Sequence, residues 1–194
     1  IYHRELPIFL KHDIHLVDLQ KLERFAQEER DFGIVGTYFF MEPQHPELRG
    51  RWHPSDWIAA MRNIEAMGHQ IGFHLDSFEL IRRTGKRLGD AIRQIIEPLR
   101  DAGLKLECIN THGNTSQPTK DLNGYGVMFD LLEETARQPD YPRLADVPAP
   151  LAEMIRQHRC SAKDLGMTHL GDMPMWSQKY GLVVTNYLSD NNIG

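Results

Sequence analysis

Gly68-His69-Gln70-Ile71-Gly72-Phe73-His74-Leu75-Asp76-Ser77 is an apolar run that ends abruptly on an imidazole and a carboxylate two residues apart. If Gln70 to His74 is a strand, side chains alternate between its faces, so His74 and Asp76 leave its end in the same direction. Neither residue helps a core. Together they can hold a metal ion or relay a proton.

Four other apolar runs end the same way. Leu6 to Leu10 runs into Lys11-His12-Asp13-Ile14-His15, and Ile34 to Phe40 into Met41-Glu42-Pro43-Gln44. Leu104 to Asn110 runs into Thr111-His112-Gly113-Asn114, and Leu182 to Leu188 into Ser189-Asp190-Asn191-Asn192. Between them lie segments of helical periodicity: Leu19, Leu22, Phe25 and Ala26, closed by Gly33; then Trp57, Ile58, Met61 and Ile64 behind Pro54-Ser55-Asp56. A third, from Leu80 to Ala102, carries Leu88, Ile92, Ile95, Ile96 and Leu99, with a kink or break expected at Pro98.

Strand starts near residues 6, 34, 69 and 104 are about 28 to 35 residues apart, the length of a βα unit. Alternating strands and helices imply a mainly parallel sheet, open or closed into a barrel, with right-handed crossovers. In either form ligands bind at the carboxyl ends of the strands. That is where the sequence puts His12, Asp13, His15, His74, Asp76, His112, Asn114 and Asp190. The second half is less regular. Residues 115–126 read as a polar loop, 127–137 as a short helix, 151–158 as another, and 181–188 as a last strand.

The 194 residues suit one compact domain covering 1–194. The first residue is Ile1 rather than Met, and the last run stops without a following helix, so residues are expected to be missing at one or both ends. A formal charge of -5 argues against nucleic-acid binding, which wants a basic patch. Cys108 and Cys160 are too few for a disulfide framework or a CxxC metal site, so a reduced, cytoplasmic setting is expected. No apolar stretch approaches the roughly 20 residues that span a bilayer. Oligomeric state is not readable.

In order and spacing, Lys11-His12-Asp13-Ile14-His15, Gly36-Thr37-Tyr38-Phe39-Phe40, Gly68 to His74, Thr111-His112-Gly113-Asn114 and Tyr187-Leu188-Ser189-Asp190 form a series. It resembles the polysaccharide deacetylase (NodB-homology, carbohydrate esterase family 4-like) superfamily, especially its branch with a His-Asp-Val-Asp opening. The resemblance implies a distorted (β/α) barrel, a divalent metal, Zn²⁺ above all, held by one Asp and two His, and a nearby Asp as general base. Its substrates are acetylated or amide-bearing carbohydrates. The metal polarises the acyl carbonyl and its water while a carboxylate takes the water's proton.

Asp13 matches an aspartate of the first motif and His74 the first histidine of the third. The second histidine of that motif is replaced by Phe78, which cannot ligate anything. In one register Asp13 is the base and His15 the ligand; shifted by one, His12 and Asp13 take those places. The implied metal set is Asp13, His15 and His74 with His112 or Asp76. Asp13, Asp76, His112 and Asp190 are the catalytic candidates, and His12, Asn114 and Trp176 the substrate contacts. Asp76 has a second reading, as the carboxylate that orients His74. Trp52 and, from a long loop, His169 and Asp172 are further groove candidates; His3, His45, His53, His69 and His158 read as structural. The rival functions are a degenerate member that binds or modifies sugars without deacetylation, and an amidase acting on another C–N bond.

Overall fold

The structure, a computed structural model, describes residues 10–15, 18–112, 149–170, 176–177 and 182–183. Its elements alternate as expected: β1 (Leu10–Ile14), α1 (Leu19–Asp31), β2 (Gly36–Met41), α2 (Pro54–Ala66), β3 (Gln70–Leu75), α3 (Ser77–Thr84), α4 (Leu88–Asp101) and β4 (Cys108–Thr111). A helix Ala149–His158 and a single 3-10 turn precede the two-residue strand β5 (His169–Leu170). The sheet runs β1-β2-β3-β4-β5 in chain order with every pair parallel. Of the last predicted strand, the described residues hold β7 (Leu182–Val183), antiparallel to β6 (Trp176–Ser177) and apart from the main sheet. The reading of 115–137 lies outside the described residues. Among the described residues no helix is long and apolar enough to cross a membrane.

Local chemistry sets the boundaries. Asp18 accepts the Gln20 and Lys21 N–H groups and opens α1; Pro54 occupies the first turn of α2. The long helix expected from Leu80 to Ala102 is two helices, and the break is not at Pro98. Asp76 caps α3, which ends on Gly85 at φ 64, a left-handed turn glycine makes without strain. Pro98 lies inside α4, whose buried stripe of Leu88, Ala91, Ile92, Ile96 and Leu99 holds the helix together past the missing N–H.

The register assigns side chains to two faces. Ile14, Phe40 and Phe73 are cross-strand neighbours, as are His12, Tyr38 and Ile71. They face the helices: Phe40 packs edge-on against the buried Trp57 of α2, whose indole N–H donates to the Met41 carbonyl at 2.7 Å. The intervening residues, Asp13, Phe39, Gly72 and Cys108 in one row and Met41, His74 and Asn110 in the next, share the opposite face. A Cβ on Gly72 would stand 2.4 Å from the Phe39 ring, so this glycine lets the ring lie flat across β3 beneath His74.

Candidate metal centre

Three imidazoles meet at the carboxyl end of the sheet, on the face opposite His12, Tyr38 and Phe40. His15 follows β1 by one residue, His74 lies near the end of β3, and His112 follows β4, its N–H donating to the Leu75 carbonyl at 2.8 Å. The ring centroids stand 4.9 Å (His15 and His74), 4.8 Å (His15 and His112) and 5.1 Å (His74 and His112) apart. One nitrogen from each lies within 4.8 Å of the other two. His74 and His112 are buried and His15 half-buried.

The Nδ1 atom of each ring faces an acceptor. His74 Nδ1–H donates to Asn110 Oδ1 at 2.7 Å, and His15 Nδ1 stands 3.4 Å from Glu47 Oε2. His112 Nδ1 is 3.6 Å from Asp76 Oδ2, beyond hydrogen-bond reach, and is buried without a partner. His15 and His74 bring their Nε2 atoms to 3.2 Å from each other. Two nitrogens on one tetrahedral zinc, each bonded at about 2.0–2.1 Å, stand about 3.3 Å apart. The donor set therefore fits a divalent ion such as zinc.

Burial pushes the His74 imidazolium down to about 3, against the pull of the Asn110 bond and helped by His112 and His15, so the ring is neutral and able to ligate. Asp76 behaves in the opposite sense. Burial favours its neutral form, yet His112, His45 and the Glu79 N–H outweigh it and hold the carboxyl well below the usual range. Its Oδ1 accepts the Glu79 N–H at 2.9 Å, while Oδ2 faces His45 Nε2 at 3.4 Å. His45 Nδ1 in turn accepts the Glu47 N–H at 3.3 Å, which leaves its proton on Nε2, toward Asp76. His45, Asp76 and His112 are all buried and form a second group of ligand type, sharing His112 with the first.

His15, His74, His112 and Asp76 thus come together as the sequence suggests, though Asp76 borders His112 rather than His74. Asp13 joins from below: its Oδ1 takes the Asn110 amide N–H at 2.6 Å and lies 4.0 Å from His74 Nδ1, on the side away from Nε2. The choice between His12 and His15 falls to His15, because adjacent strand residues face opposite ways. His12 turns to the helices, where Nε2 lies 2.9 Å from Glu29 Oε1 of α1. Phe78 is a core residue, 5% exposed. Trp52 stacks on Trp57 at 5.2 Å. Asn114, Asp172 and Asp190 lie outside the described residues, as do the side chains of Trp176 and His169.

Sequence reasoning passed over Asn110 and Glu47 and read His45 as structural. Asn110 closes the apolar run of β4 and shares the parity of His112, which was the available signal. His45 and Glu47 sit in the Pro-rich loop after β2, at the carboxyl end where sites form. Cys108 is buried, its thiol pushed up to about 11 by that burial with Glu107 adding to it, and Cys160 is half-buried; neither is in a disulfide. No family model matches the chain, and neither a curated protein nor a solved structure matches it.

Proposed function

We propose that the chain is a metal-dependent hydrolase that removes an acetyl or related acyl group from a carbohydrate. The observation that carries the reading is the trio His15, His74 and His112, whose ligand nitrogens lie within 4.8 Å of one another, with two Nε2 atoms 3.2 Å apart and each Nδ1 on the side of an acceptor. Three protein nitrogens are the donor count of catalytic rather than structural zinc. Bound there, a divalent ion supplies Lewis-acid polarisation of an acyl carbonyl and of a water.

The chain's own groups do the rest. Asp76 is buried and saturated, and a carboxyl held so low is a weak base. Asp13, the base implied by the resemblance, is engaged by Asn110 and lies 3.5 Å from Lys11. Glu47 is the most open of the three, its side chain 36% exposed, and its His15 contact is long, so it has a lone pair to spare for the water's proton. The barrel belongs to the same proposal. A sequential parallel order with right-handed crossovers sets the helices on one face, and curling closes the opposite face around the polar strand ends. The carbohydrate substrate is supported by the ordered series of strand-end motifs.

Phe78, packed in the core where the resemblance expects a histidine, favours a second reading as a sugar-binding protein without turnover. Acetate release from acetylated oligosaccharides, with and without chelator, separates the two. Chelator-sensitive acetate supports the hydrolase; sugar binding by the metal-loaded protein with no acetate supports the second reading; turnover of simple amides alone moves the activity to another C–N bond.

A further inference from the structure

We infer that Asn110 is a positioning residue: anchored by Asp13, its amide fixes which nitrogen of His74 is presented to the cation. The inference rests on the metal reading above and assigns Asp13 a role one link behind the imidazole.

A primary amide has a donor end and an acceptor end, and whichever faces an imidazole decides its tautomer. Here the choice is forced. A carboxylate only accepts, so the Asn110 end 2.6 Å from Asp13 Oδ1 is the NH₂ group. The carbonyl end therefore faces His74 Nδ1 at 2.7 Å and takes its proton, leaving Nε2 as a lone pair. Rotating the amide would set two oxygens 2.6 Å apart and point NH₂ at the ring, fixing the wrong tautomer. Asn110 is fully buried, so no water replaces either bond. Asp13, 4.0 Å from His74 Nδ1, is too far to act on the ring directly and acts through the amide.

The test is Co²⁺ affinity of the full chain, by competition with a chromophoric chelator, together with the visible spectrum of the bound cobalt. Asn110→Leu removes both bonds and is expected to weaken cobalt binding by about 10- to 100-fold and to change the spectrum, the usual cost of losing a group that orients a ligand. Asn110→Asp alone sets two carboxylates against each other and weakens binding as well. The exchange Asp13→Asn with Asn110→Asp rebuilds the pair in reverse, amide donating to carboxylate and carboxylate accepting from Nδ1. It is expected to bind cobalt at least about tenfold more tightly than Asn110→Asp alone, well above the product of the two single effects. Wild-type affinity and spectrum in a folded Asn110→Leu protein overturn the inference. So does an exchange variant no better than Asn110→Asp, which decides the matter if Asn110→Leu fails to fold. A wild-type chain that takes up no cobalt overturns the metal reading and this inference with it.

Discussion

Two histidine–carboxylate clusters lie back to back across the same sheet and differ in how much of their bonding capacity is spent. On the helix side His12, Tyr38, His69 and Glu29 form a closed set. Tyr38 O–H donates to Glu29 Oε2 at 2.6 Å, His12 Nε2 meets Oε1 at 2.9 Å, and His69 accepts the Gly36 N–H and donates to the Ala26 carbonyl. A Cβ on Gly36 would stand 3.2 Å from His12 Nε2, so the glycine allows the set to close. On the other side the bonding is less complete: His15 and His74 have only each other at Nε2, 3.2 Å apart, and His112 Nδ1 is buried without a partner. Residue type does not separate a structural polar core from a site. Unused donors and acceptors do.

The comparison is tested most severely by His74→Ala. It removes a central nitrogen of the open cluster and is expected to cut hydrolysis to below about one-thousandth, since several kcal/mol of Lewis-acid stabilisation go with the ion. Glu47→Gln is expected to lower turnover by about 10²- to 10⁴-fold while the protein still binds its metal, which a metal titration beside the rate assay checks. Equal loss of metal in that variant would make Glu47 a prop for His15 and not a base.

Acid stability sharpens the same contrast. In the metal-free protein His74 titrates near 3 when folded and near its ordinary 6.5 when unfolded, so between those values the unfolded chain binds the extra proton. Stability therefore falls as pH drops from 6.5 toward 3, by an amount of the order of a few kcal/mol. The lowered carboxyl of Asp76 acts in the same direction: its contribution is present above the ordinary aspartate value of 3.8 and is lost as pH falls further. Thermal midpoints across pH 7 to 4 are expected to slope less in His74→Ala than in the parent. The closed cluster gives the smaller effect. Tyr38→Phe leaves Glu29 Oε2 buried without its donor and is expected to cost about 1–3 kcal/mol in denaturant melts, with metal affinity unchanged.

Much of the fold was legible because its determinants are local. Asp18 and Pro54 start helices, glycines stop them, and apolar runs of strand length recur at βα spacing. The split between α3 and α4 was missed because Pro98 looked the stronger breaker, while Gly85 acts through a left-handed turn that periodicity does not reveal. At the site, His74, His112 and Asp76 were legible as polar residues ending apolar strands. The choice of His15 over His12 needed the register, since adjacent residues differ only in the face they take. Asn110 was missed because its role lies in tertiary hydrogen bonds: it answers Asp13 from 97 residues away.

The most direct test of the open cluster is the metal content of the chain purified without chelator and after equilibration with zinc, against the same measurement on His74→Ala. About one zinc per chain, lost in the variant, is the predicted result. A wild-type chain that holds no zinc, or a His74→Ala protein that holds as much as the parent, would contradict it.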